Sequence, residues 1–149
     1  MKVYIKNTQS DLPIQAKQVK LLVQSFLQNH KVFCSQITIH FVTDKKMCAI
    51  HGQFFNDPSS TDCMTFPLDH FSEENPNLGD IFVCPAVALD YSKQFNTDHY
   101  SEVSLYIVHG LLHILGYDDI EKEDRRIMRT MEKKELTRLS QLNLLLKPL

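Results

Sequence analysis

The stretch "HYSEVSLYIVHGLLHILG", His99 to Gly116, is apolar on nearly every face when read at a helical period. Thr97 or Asp98 can cap its start, and Gly116 can end it by adopting a positive φ. A helix of this kind is expected to be buried, so the rest of the chain must supply the layers around it. Inside it, His109 and His113 stand four residues apart. A rise of about 1.5 Å per residue puts both imidazoles on one face, about 6 Å apart.

Working outward, "KVYI" near the start and "SQITIHFV" at 35–42 read as strands, the second alternating Ile37, Ile39 and Phe41 with polar neighbours. Between them lies an amphipathic helix within "SDLPIQAKQVKLLVQSFLQNH". Asp11 or Ser10 is the expected cap, Pro13 sits in its first turn, and Val19, Leu22, Val23, Phe26 and Leu27 form its inner stripe. "TDKKMCAIHGQFF" predicts a short helix opening at Thr43 or Asp44 and stopping by Gly52. "DCMTFP" predicts a strand ended by Pro67. "LDHFSEENPNLGD" reads as a surface loop feeding a strand "IFVC", and a helix follows Pro85. After the central helix, "EKEDRRIMRTMEKKELTRLSQLNLLL" is a second long helix with Ile127, Met131 and Leu139 expected inward. The fold predicted is α/β: a single domain over 1–149, with a small mixed sheet of about four strands covered by about five helices.

Composition narrows the function classes. The 149 residues are 43% hydrophobic and 23% charged, ordinary for a globular domain, and the formal net charge of −2 provides no whole-molecule attraction to nucleic acid. Any positive field that meets RNA must be local. The start "MKVYIKNTQSDL" has no signal-peptide core and no run of 18 apolar residues occurs, which points to a cytoplasmic protein with no membrane partner. Cys34, Cys48, Cys63 and Cys84 form no C-x-x-C pair and read as reduced packing residues.

The chemistry concentrates in "HGLLHILGYDD", His109 to Asp119. Gly116 turns the chain back toward the histidine face, and Asp119 arrives three residues later. The spacing H-x-x-x-H-x-x-G-x-x-D follows the layout by which metzincin proteases bring a third ligand to zinc, so the central helix reads as a zincin-like metal helix. Two imidazoles and a carboxylate leave a fourth position open for water, as a catalytic site requires. Asp118 beside it is a second candidate ligand, an orienting group, or a cap for the last helix. Gly110 occupies the place where H-E-x-x-H proteases carry their general base, which makes peptide hydrolysis by that mechanism a poor fit. An interior glycine costs about 1 kcal/mol relative to alanine, so something must approach the backbone there, either a neighbouring strand or a bulky substrate.

These residues carry a resemblance. "HGLLHILGYDD" resembles the H-G-x-L-H-L-x-G-Y-D-H signature of the YbeY-type bacterial endoribonucleases, departing only at Ile114 and Asp119. "TDCMTFP" at 61–67 is similar to the family's T-D-V-L-S-F-P block, and G-D-I recurs at 79–81. The resemblance covers essentially the whole chain. It implies a zinc-dependent, single-strand-specific endoribonuclease acting in small-subunit ribosomal RNA maturation and ribosome quality control. Its partners would be ribosomal RNA and the small ribosomal subunit, with no role for DNA. It implies one Zn2+ per chain held by His109, His113 and Asp119, the last at the position of a third family histidine. It also sets "IHGQFF" at 50–55 against L-N-x-x-Y-R, so that Phe55 falls where the family has an arginine and His51 where it has an asparagine. That arginine is thought to assist cleavage, so its loss favours a second reading, a ribosome-associated assembly factor with a structural metal and little catalysis.

Other residues are weighed beside the motif. Thr61, Asp62 and Phe66 are candidates to line the metal cleft, with strand packing as the plainer role. Arg125, Arg126, Arg129, Lys133, Lys134 and Arg138 could meet RNA, but Glu121, Glu123, Asp124, Glu132 and Glu135 are interleaved with them, so a solvated face of mixed charge is the expected reading. The motif names no general base, and either a metal-bound water or the RNA's own 2′-hydroxyl could attack.

Overall fold

A computed structural model describes residues 1–149. Strands β1 (Lys2–Asn7), β2 (Gln36–Phe41), β3 (Cys63–Phe66) and β4 (Asn77–Val83) form one sheet in the order β1-β2-β4-β3. The first three in that order run parallel, and β3 is an antiparallel edge strand. Helices α1 (Ala16–Asn29), α2 (Asp44–Phe55), α3 (Pro85–Phe95), α4 (His99–Ile114) and α5 (Lys122–Gln141) cover it. This is the α/β arrangement of four strands and five helices that the element order predicts.

The core follows from α4. Ten of its sixteen residues are buried, and it packs between the sheet, α3 and α5. The stripe of α1 lies against the same core, with Val19, Leu22, Val23, Phe26 and Leu27 at most 1% exposed. At the start of α4 the Asp98 carboxylate accepts from the Ser101 N–H at 2.9 Å, a side-chain cap that satisfies one of the helix's free donors. A smaller cluster of Val42, Met47, Ile50, Met64 and Cys84 fills the space under α2.

Several expected boundaries move, each for a local reason. Helix α1 starts at Ala16, without a side-chain cap, because Gln9 rather than a helix turn takes up the Leu12 N–H and carbonyl. Asp11, Ser10 and Pro13 therefore precede the helix. Helix α2 is capped by Thr43 but runs through Gly52 to Phe55, ending where Asn56 takes a left-handed conformation. A Cβ at Gly52 would meet only ordinary contacts, so nothing there stops the helix. Strand β4 begins at Asn77, inside the expected loop. Gly79 has φ +96° and a Cβ there would lie 2.2 Å from the Phe66 carbonyl oxygen. The pairing slips by one residue at this point, so "NLGD" is a bulged strand that reads like a turn. In α5 the inner positions are Met128, Glu135 and Leu139, while Ile127 is 38% exposed. The buried Glu135 is held by Arg138, Asn29 and His30, which lets a carboxylate occupy a core-facing position.

Candidate metal centre

The site is assembled by the end of α4 and the turn behind it. Gly116 has φ +96°. Its N–H bonds the His113 carbonyl at 3.0 Å and the Tyr117 N–H reaches back to the Leu112 carbonyl at 3.1 Å, the paired closure of a Schellman motif. The chain reverses there and carries Asp119 over the histidine face. His113 Nε2 lies 3.0 Å from His109 Nε2, and Asp119 Oδ2 lies 3.4 Å from the first imidazole and 3.5 Å from the second.

These spacings test whether an ion fits. Bonds of about 2.0–2.1 Å in tetrahedral geometry set ligand atoms about 3.3 Å apart, close to all three separations. The three atoms can hold a metal ion. The acid–base chemistry agrees with the distances. His109 Nδ1 is 2.6 Å from Glu132 Oε2 on α5; a carboxylate oxygen accepts, so Nδ1 carries the proton and the lone pair of Nε2 is directed at the site. A cation held by both imidazoles needs the Nε2 lone pair of His113 as well as that of His109, so metal and protons compete for the site.

Glu132 is the functional neighbour that sequence reasoning assigned to a solvated face. Its side chain is only 15% exposed. The available signal was the phase of α5: Glu132 lies four residues after Met128 and seven before Leu139, on the inner side. Burial alone would push His109 down, but the Glu132 hydrogen bond and the charges of Glu132, Asp62 and Asp119 outweigh it and hold the imidazole above the ordinary value of 6.5.

The other candidates separate cleanly. The Asp118 side chain is directed to the Asp119 N–H at 2.7 Å; it braces the turn, stays outside the cluster and caps no helix. Thr61 and Asp62 line a cleft of about 340 Å³ with His109, His113 and Asp119, joined by His51 and Phe55 from α2. Phe66 does not line it: strand alternation sends its ring to the opposite face, edge-on to Phe54 and Phe82. Asp62 precedes β3 and escapes that alternation, and burial pushes its carboxyl above the usual range. Gly110 is explained by the sheet. A Cβ there would come within 2.7 Å of Ile81 Cγ2 and 2.9 Å of Cys63 Sγ, so the glycine lets α4 seat on β3 and β4, and no substrate is needed to account for it. All four cysteines are free thiols, and burial raises Cys63 well above the ordinary thiol range.

Fold and site together define an α/β protein with a possible three-ligand metal centre at the end of its central helix. The profile of the family Endoribonuclease YbeY matches residues 4–140. A curated "Endoribonuclease YbeY" of Protochlamydia amoebophila is 40% identical over 143 residues, covering 95% of both chains. Another of the same name from Chlamydia muridarum is 42% identical over 149 residues, covering 98% of this chain and 92% of its own. The solution structure of TM1509 from Thermotoga maritima superposes with a TM-score of 0.67 at 21% identity, over 95% of this chain and 92% of that one, a likeness of fold. The chain belongs to the YbeY family of endoribonucleases.

Proposed function

We propose that residues 1–149 form one metal-dependent endoribonuclease domain that cleaves single-stranded RNA in the cytoplasm, in maturation of small-subunit ribosomal RNA and in ribosome quality control. The observation that carries the reading is the convergence of His109 Nε2, His113 Nε2 and Asp119 Oδ2 in an open cleft of a chain from this family. Zinc, one ion per chain, is the cation this donor set suits, since imidazole disfavours magnesium and calcium and three protein ligands leave a position open. When bound there it would acidify a water molecule and polarise a phosphoryl oxygen. No helix is long and apolar enough to cross a membrane.

The chain's own residues do the rest. Glu132 fixes the His109 tautomer and ring direction. The Gly116 turn, braced by Asp118, delivers Asp119. Asp62 lines the cleft outside the ligand trio, and its carboxylate is the candidate to take a proton from an attacking water or 2′-hydroxyl. Cleavage of single-stranded and structured ribosomal RNA by zinc-loaded protein, by chelated protein and by His113→Ala is the test. Cleavage that needs zinc and disappears in the variant is the expected result. Cleavage indifferent to both would sink it. The assembly-factor reading, favoured by the apolar Phe55 in the cleft wall, expects metal uptake with no cleavage.

A further inference from the structure

A phosphodiester is anionic, yet the metal cleft is lined by carboxylates. A second cavity of about 240 Å³ adjoins it, sharing Asp62, His109 and Asp119, and its walls include Glu132. An RNA backbone approaching these groups is repelled unless cations accompany it. Neither wall of the 340 Å³ cleft contains a lysine or arginine. The cations that line the 240 Å³ cavity are Arg125 and Arg129, one turn apart on α5.

The same two arginines also line a groove of about 910 Å³ with Lys122, Arg126, Glu123 and Thr130, and no hydrophobic side chain takes part in it. Arg125 and Arg129 are therefore the junction between a polar, cationic groove and the metal centre. Their own bonding leaves them available. Arg126 is paired with Glu123 and Arg138 with Glu135; Arg125 spends one N–H on the Ile120 carbonyl, and the Arg129 guanidinium, on the exposed side of α5, has no partner within the chain. A guanidinium with free N–H groups suits phosphate oxygens in bidentate fashion.

We propose that Arg125 and Arg129 hold the phosphates of a single-stranded RNA backbone and lead it from the α5 groove to the His109, His113 and Asp119 centre. This rests on the endoribonuclease reading and adds the route by which the substrate enters. It revises the expectation that the charges of the last helix form only a solvated face: the first two turns of α5 belong to the cleft. Phosphate contacts position the strand and carry no base preference, so selectivity for sequence lies elsewhere.

The test separates binding from cleavage. Fluorescence anisotropy of a labelled oligouridylate, measured with chelator present over a series of salt concentrations, reports binding alone. Arg125→Ala/Arg129→Ala should weaken binding at least fivefold. It should also lower the slope of log affinity against log salt by about 1.4, two phosphates at about 0.7 each. Arg129→Ala, which breaks no bond within the chain, should lower it by about half as much, and Arg125→Lys/Arg129→Lys should keep most of the slope. Lys20→Ala/Lys93→Ala removes equal charge from α1 and α3 and should leave both quantities unchanged. Equal losses in the two double alanine variants, or a parent protein that does not bind the oligomer, would overturn the proposal. If the slope falls as expected while zinc-loaded parent never cleaves RNA, the groove stands and the endoribonuclease reading falls.

Discussion

Across the metal cleft the two walls differ in kind. The α4–α5 wall carries two imidazoles, the turn-borne Asp119 and Glu132 behind His109, and Arg125 with Arg129 line the adjoining 240 Å³ cavity. The α2–β3 wall offers His51, whose Nδ1 donates to the Ser59 carbonyl at 2.9 Å, and Phe55, which is 54% exposed. It contributes shape and no cation. The difference teaches that the metal-binding groups are concentrated on one side, positioned by helix packing and a glycine turn, while the other side adds the Asp62 carboxylate and apolar shape.

Removing a proposed ligand from the α4–α5 wall is the harshest way to probe that asymmetry. Asp119→Ala should reduce zinc affinity by more than the 10–100-fold expected for an outer-shell partner, and Asp118→Ala by less, because its carboxylate only braces a backbone N–H. Asp119→His should keep the metal and raise the cleavage rate, since a neutral third ligand leaves more positive charge at the centre. Competition with a chromophoric chelator measures all three; an Asp119→Ala variant that binds as tightly as the parent removes Asp119 from the ligand set.

Glu132→Gln comes next, with an expected loss of about 10–100-fold in metal affinity. It also probes the pH response. Protons and metal compete for His109 Nε2, so affinity in the parent should begin to fall at a higher pH than an ordinary histidine would allow. For the metal-free chain the sign is opposite. A raised folded value contributes stability fully below the unfolded value of about 6.5, and that contribution is lost as pH rises through the folded value. Urea midpoints of metal-free protein should therefore decline across that window, and the Glu132 variant should show a flatter decline.

Behind the α4–α5 wall, Gly110→Ala should destabilise by about 1–3 kcal/mol, because a methyl group collides with Ile81 and Cys63. Thermal unfolding of the metal-free variant reads this directly. The mildest change is on the α2–β3 wall: Phe55→Arg should raise RNA cleavage by a few-fold, about 1 kcal/mol or less for a half-exposed charge. No gain in a folded, zinc-loaded variant would count against the alignment of Phe55 with the family arginine or against a role for a cation there.

The α4–α5 wall was also the more legible one in the sequence. Local rules suffice for it: helical spacing joins His109 to His113, and a glycine after the last apolar residue predicts the turn that presents Asp119. Glu132 escaped because its role depends on a contact across 23 residues of sequence, and a carboxylate on a charge-rich helix reads as solvated until the phase of that helix is known. Ile127 and Met128 are neighbours, and choosing the wrong one as inward rotates every assignment on α5, including Arg125 and Arg129. Gly110 left two explanations open that only the position of β3 and β4 could separate. The first half of strand β4 was concealed for a related reason, since Gly79 serves a bulge where isolated glycine ordinarily marks a loop.

X-ray absorption at the zinc edge of stoichiometrically loaded protein tests the metal centre most directly. One ion per chain is expected, with two imidazole nitrogens at about 2.0–2.1 Å, a carboxylate oxygen and one further light ligand; His113→Ala should lose one imidazole shell or the ion itself. A shell containing sulfur from Cys63, a single imidazole in the parent, or no uptake of zinc would contradict the assignment of His109, His113 and Asp119.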